Sequence, residues 1–229
     1  MDMRPEWEGF NPDGLWTSEV NVRDFIQANY TQYDGDESFL AGPTTATQKL
    51  FDELQKLQKA EYTKKTGFPI FVGIEFYSLQ GDILAFGIDS YPDKRVSAQE
   101  FIDYVHEQGG VVIAAHPFRH NRRGLEDNLS TLKGGDAIEI LNGSTMPDAT
   151  MMAVQYAKKY GFATTGGSDC HYPHKVGTCA TYFEDTIHTM DELVAAIKNH
   201  KCKPVFHQDF SYFLWDINKL QWTVEDMQI

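Results

Sequence analysis

The sequence predicts an α/β protein, with strands and helices alternating from about residue 69 to about residue 199. Three observations carry this expectation. Short apolar runs such as PIFVGIEF and VVIAAHP have the length of buried strands. Between them lie segments with apolar residues at helical spacing, each opened by a Ser or Thr cap or closed by glycine. The polar residues able to do chemistry fall at strand ends, where α/β folds gather their sites.

In chain order, Pro69–Phe76 reads as a buried strand, and Asp82–Ile88 (DILAFGI) reads as a second after the Gly81 turn. Ser97–Gln108 reads as an amphipathic helix, with Ser97 as N-cap, Glu100 in the capping-box position and Gly109-Gly110 as its stop. VVIAAHP and DAIEILNG are further strands. Asp148–Tyr160 is a helix closed by Gly161, and Ala163–Gly167 is a short strand leading into SDCH. Met190–Asn199, capped by Thr189, is the last clear helix. The alternation predicts a mainly parallel sheet or barrel. Upstream, Thr45 to Lys59 places Leu50, Phe51, Leu54 and Leu57 on one helical face, before KKTGFP breaks the pattern.

The 229 residues are 41% hydrophobic, enough for a packed core in one large domain or two small ones. The net charge of −13 disfavours a nucleic-acid-binding surface. Three cysteines without a CxxC pair argue against a disulfide scaffold and predict a reducing, cytoplasmic location. The first residues, MDMRPEWEGF, hold no apolar core of a signal peptide. No apolar run approaches ~18 residues, so no membrane span is expected.

Four residues are candidates for metal chemistry. Glu75 interrupts an apolar strand, and a buried carboxylate needs a cationic partner, either Arg, Lys or a metal ion. His116 follows VVIAA and precedes Pro117, at the mouth of a buried strand; the alternative is a structural histidine. Asp169 and His171 form a D-x-H pair behind two glycines, so carboxylate and imidazole can reach neighbouring ions from one loop, unless both are solvated.

GIE followed by a glycine turn and DILAFGI, then AHPFR, IEILNG and GSDCH, resembles in order and context the later motifs of the PHP (polymerase and histidinol phosphatase) family, over about residues 67–205. The resemblance implies a distorted (β/α)7-type barrel, divalent Zn, Mn or Fe ions, and hydrolysis of a phosphate ester or nucleotide by metal-activated water. It makes Glu75 a carboxylate bridging two metals, with His116 on one of them and Asp169 on the other. His171 takes a third metal. Arg119 of HPFR is a candidate phosphate contact, with a surface arginine as the alternative, and His120 and His174 are further histidines near the site.

The opening HxH segment of that family and its second histidine-bearing segment do not occur before Glu75; the first histidine in the chain is His106. The expected barrel is therefore incomplete, behind a mostly helical or irregular N-terminal segment, and its activity is residual or lost. What precedes it, WEGF and then WTSEVNVRDFIQANYTQYDGDESFLAG, resembles the N-terminal segment of pyruvate formate-lyase over about residues 6–60. That family's adjacent cysteine pair and glycyl radical loop have no counterpart here, so acyl transfer from pyruvate is not implied. The expected organisation is a lyase-like segment at 1–62, a PHP-like domain at 63–205 and an aromatic tail at 206–229. Such a chain is a fusion, a deletion joint or an assembly product. Its alternative reading is a non-catalytic chimeric fragment or interaction module, including a binding segment derived from pyruvate formate-lyase. A half-barrel exposes sheet edges that favour self-association, and the tail, DFSYFLWDINKLQW, can cover one.

Overall fold

The strand pattern is set early by a short turn. The computed structural model describes residues 69–170 and 175–208, with strand backbone also at 211–216 and 221–222. β1 (Ile74–Tyr77) and β2 (Asp82–Phe86) are joined by residues 78–81. There the buried Ser78 hydroxyl accepts from the Gly81 N–H at 3.1 Å, closing the turn. Four residues allow only a hairpin, because parallel pairing needs a crossover of about a dozen or more residues. β1 and β2 are accordingly antiparallel, and β1 begins at Ile74, later than the Pro69 start expected from the sequence.

Helix α1 (Ala98–Glu107) follows, opened by the expected capping box. The Ser97 hydroxyl accepts from the Glu100 N–H at 3.2 Å, and the Glu100 carboxylate accepts from the Ser97 N–H at 2.8 Å. Next come β3 (Val111–Ala114) and β4 (Ala137–Asn142), separated by a loop and a short 3-10 helix at Glu126–Ser130. Helix α2 (Pro147–Tyr160) ends at Gly161, whose φ of 70° is the left-handed conformation that a glycine adopts at no steric cost. β5 (Ala163–Gly167), β6 (Cys179–Phe183), α3 (Met190–Lys198) and β7 (Cys202–Gln208) complete the alternation.

The first sheet has the order β1-β2-β3-β4-β5 and is mixed. β2 pairs antiparallel with both β1 and β3, while β3, β4 and β5 run parallel. The mainly parallel expectation is therefore corrected: the β1–β2 hairpin turns one strand against the rest. The second sheet, β6-β7-β8-β9, is antiparallel throughout, with β8 (Ser211–Asp216) and β9 (Gln221–Trp222) drawn from the aromatic stretch. It is this stretch that lies along the edge of β7. The described strands thus make a mixed α/β architecture of two sheets. The sheets meet where the Thr181 hydroxyl accepts from the Gly166 N–H at 3.0 Å and donates to the Gly166 carbonyl at 2.8 Å.

The strand period of two divides the core between the faces of the first sheet. Val112 and Ala114 join Phe76, Ile83, Phe101, Ile138 and Val154 on the side of α1 and α2. Val111 and Ile113 join Leu193 and Ile197 of α3 on the other side. Phe76 and Phe101 stack with ring centroids 4.1 Å apart, fixing α1 against β1. With helices on both faces, the sheet leaves its strand ends for chemistry. Among the described residues no helix is long and apolar enough to cross a membrane. The helix expected at Thr45–Lys59 lies outside the described residues.

Candidate metal centre

β1, β3, β4 and β5 point their C-terminal ends at one edge of the first sheet, and β2, running the other way, begins there. That edge collects the acidic and histidine side chains. Glu75 lies on β1, Asp82 opens β2, His116 stands just after β3, Glu139 and Asn142 lie on β4, and Asp169 stands just after β5. His116 and Asp169 both adopt positive φ, 26° and 44°. Non-glycine residues in that region are strained, and such strain concentrates at functional sites.

His116 Nε2 lies 3.0 Å from Glu75 Oε1 and 3.6 Å from Asp82 Oδ2. Glu75, Asp82 and His116 each offer a ligand atom, all within 4.8 Å of one another. A tetrahedral ion with bonds of about 2.1 Å sets its donor atoms roughly 3.4 Å apart. Two of the triad's separations, 3.0 and 3.6 Å, bracket that spacing, and the group could hold a metal ion. His116 is 4% exposed and Asp82 0%, whereas the Glu75 side chain is 42% exposed, so the cluster opens to solvent on the Glu75 side. His116 Nδ1 is buried without a hydrogen-bond partner among the described residues. The two carboxylates converge instead on Nε2, on the other side of the ring, and it is that donor set that fits a cation.

Two arginines from one turn, residues 117–124, reach into the same edge. Arg123 grips Asp82 with both ends of its fork, Nε to Oδ2 at 2.7 Å and Nη2 to Oδ1 at 2.9 Å. Arg119 donates from Nη1 to Asp169 Oδ2 at 2.5 Å. Gly124 permits the turn, because a Cβ there would lie 2.1 Å from the Pro117 carbonyl oxygen. Glu139 Oε2 accepts from the His116 backbone N–H at 2.8 Å and from Asn142 Nδ2 at 3.0 Å, and Asn142 Nδ2 also reaches Asp169 Oδ2 at 3.3 Å.

The charges perturb one another in consistent directions. The hydrogen bond from His116 holds the Glu75 carboxyl below its ordinary value, against burial. Burial pushes Asp82 up, opposed by the Arg123 fork. For His116, burial alone would lower the pKa, but the hydrogen bond and charge of Glu75, with Glu139 and Asp82 behind, raise it. Burial pushes Glu139 up to about 7.

Of the residues expected from the sequence, Glu75 and His116 come together. Asp169 is on the same edge but is engaged by Arg119 and Asn142, and Arg119 itself faces that carboxylate. His120 pairs on the surface with Asp148 at 2.8 Å. His171 and His174 lie outside the described residues. Sequence reasoning missed Asp82, Glu139 and Arg123. Glu139 carries the signal that singled out Glu75, a carboxylate inside an apolar strand, and Asp82 opens a strand directly behind a glycine turn.

Residues 147–202, from α2 to the start of β7, match the profile of a family described as PHP-associated. Both resemblances drawn from the sequence are upheld. Formate acetyltransferase 1 of Escherichia coli (strain K12), named for the reaction of pyruvate formate-lyase, is 62% identical over 55 residues. Formate acetyltransferase of Haemophilus influenzae is 58% identical over the same length. Each alignment covers 24% of this chain and only 7% of the relative. The fold is similar to that in the crystal structure of PsfC from Pseudomonas syringae PB-5123, with a TM-score of 0.57 and 21% identity, covering 72% of this chain and 73% of that one.

Proposed function

We propose that this chain is a metal-dependent phosphoesterase of PHP type, with residual activity, in which Glu75, Asp82 and His116 hold a divalent Zn, Mn or Fe ion. The observation that carries the reading is the convergence of the Glu75 and Asp82 carboxylate oxygens on Nε2 of the buried His116, at 3.0 and 3.6 Å. A bound divalent ion supplies a water of lowered pKa and a Lewis acid for phosphoryl oxygens. The protein residues do the rest. Glu139 and Asn142 hold the His116 backbone and the Asp169 loop in register. Glu75, half-exposed, marks the open side from which a phosphate ester or nucleotide approaches. Arg119, partly exposed beside Asp169, offers a guanidinium to the phosphate. The barrel of this reading is incomplete, and the lyase-like stretch before residue 62 contributes no catalytic group.

The test is metal content and hydrolysis of p-nitrophenyl phosphate by the purified chain. His116→Ala and Asp82→Asn are expected to lower both at least tenfold. Wild-type metal content and rates in both variants reject the reading. A second reading, a non-catalytic fragment or interaction module that self-associates, is favoured by the two arginines that already neutralise Asp82 and Asp169. It predicts no retained metal, no hydrolysis and a concentration-dependent mass in solution.

A further inference from the structure

We propose that the outer ridge of α2 is a self-complementary surface on which a second copy of this chain docks, antiparallel and about a two-fold axis. The inference is independent of the metal-binding reading, and it gives self-association a definite surface. α2 buries small or β-branched side chains against the core: Ala149, Thr150, Ala153, Val154 and Ala157. By contrast, α1 buries Phe101, Ile102 and Val105, and α3 buries Leu193 and Ile197. Two of the larger apolar residues of α2 turn outward instead, Met152 at 42% exposure and Tyr160 at 39%, and its cap Met146 is 64% exposed. A helix that keeps apolar bulk on the solvent side has a face still to cover.

The charges on that face select the occupant. Asp148, Met152, Gln155 and Lys159 follow one another at steps of four, three and four residues, so they form one ridge along α2. All four are exposed. The ridge carries opposite charges at equal distances from its midpoint. Set antiparallel against its own copy, it brings Asp148 opposite Lys159 at both ends and Met152 opposite Gln155 between them. A parallel pair would set like charges together. Asp148 already pairs with His120 at 2.8 Å through Oδ2, but a carboxylate offers about four acceptor sites and has room for a lysine as well. Lys159 lies at the surface, 4.9 Å from the centre of the Tyr160 ring. A helix of 14 residues is ~21 Å long, so a contact built on it is at the small end of specific interfaces. The dimer is expected to be weak, with Kd on the order of 10–100 µM.

The experiment is sedimentation equilibrium of the full chain from about 2 to about 200 µM. The wild type is expected to pass from monomer to dimer within that range. Lys159→Glu and Asp148→Lys each set like charges against one another at both ends of the ridge, and each is expected to dimerise at least tenfold more weakly. Mixed in equal amounts, the two variants regain opposite charges at both ends, and the mixture is expected to recover the wild-type affinity. Circular dichroism checks folding; if Asp148→Lys is unfolded, Met152→Ser takes its place, and weakening by both remaining variants decides. A wild type that stays monomeric throughout overturns the proposal. A dimer that neither variant weakens overturns it equally, since the copies then meet elsewhere. So does a mixture that associates no better than its parts, since the charges then do not face one another. Metal content is read separately, so failure here leaves the metal-binding reading standing.

Discussion

Replacing Arg123 by Gln strips the fork from a carboxylate that has no access to water. Asp82 is 0% exposed and accepts from Arg123 at 2.7 and 2.9 Å. Removing one partner of a buried ion pair costs about 3–5 kcal/mol, because the other charge stays buried and unpaired. Two features place this site at the low end. The Arg123 side chain is 40% exposed and already partly hydrated, and His116 Nε2 remains 3.6 Å from Asp82 to share its charge. The expected loss is about 3 kcal/mol, which lowers the melting midpoint by roughly 6–12 °C for a chain of this size. Urea unfolding followed by circular dichroism measures it. The double variant Arg123→Gln with Asp82→Asn removes both charges and should recover part of the loss. A single-variant loss below about 1 kcal/mol would refute the reasoning, because the pair would then behave as a solvated surface bridge.

Glu139 sets a pH dependence of stability. Its carboxyl is pushed from 4.5 up to about 7, so between those values the folded chain binds the proton more tightly than the unfolded chain does. Stability therefore falls as pH rises through that window, by about 3 kcal/mol in all. Glu139→Gln should flatten this fall, and equal slopes in urea-unfolding series of the two proteins would contradict the assignment. Gly124→Ala forces a Cβ to within 2.1 Å of the Pro117 carbonyl oxygen, where both atoms are tied to backbone. It should cost about 1–3 kcal/mol and loosen the turn bearing both arginines; an unchanged thermal midpoint would show that the turn yields freely.

The helices were legible because their ends are written in local chemistry. Ser97 with Glu100, Thr189 with Glu192, and Gly161 act on neighbours within a few residues, so α1, α2 and α3 lie where the caps place them. The strands were legible as apolar runs, but their directions were not, since pairing is decided by connections and partners elsewhere in the chain. The site was half legible for the same reason. Glu75 and His116 stood out as polar breaks at the ends of apolar runs. Asp82 did not, because a carboxylate opening a strand behind a turn is also what an exposed strand start looks like. Arg119 was read toward a substrate, yet its nearest anion is Asp169, fifty positions along the chain.

That spacing has a kinetic meaning. The His116–Glu75 and Arg123–Asp82 contacts each span 41 residues, and Arg119–Asp169 spans 50, whereas the capping boxes span three. Closing long loops delays contact formation, so the helices can form early while the acidic edge waits for β1 through β5 to align. On the metal-binding reading, affinity for a cation then depends on the paired strands β1, β2 and β3. Ion uptake in a refolding experiment should, on that reading, lag the helical signal and report the pairing of these strands, which bring Glu75, Asp82 and His116 together.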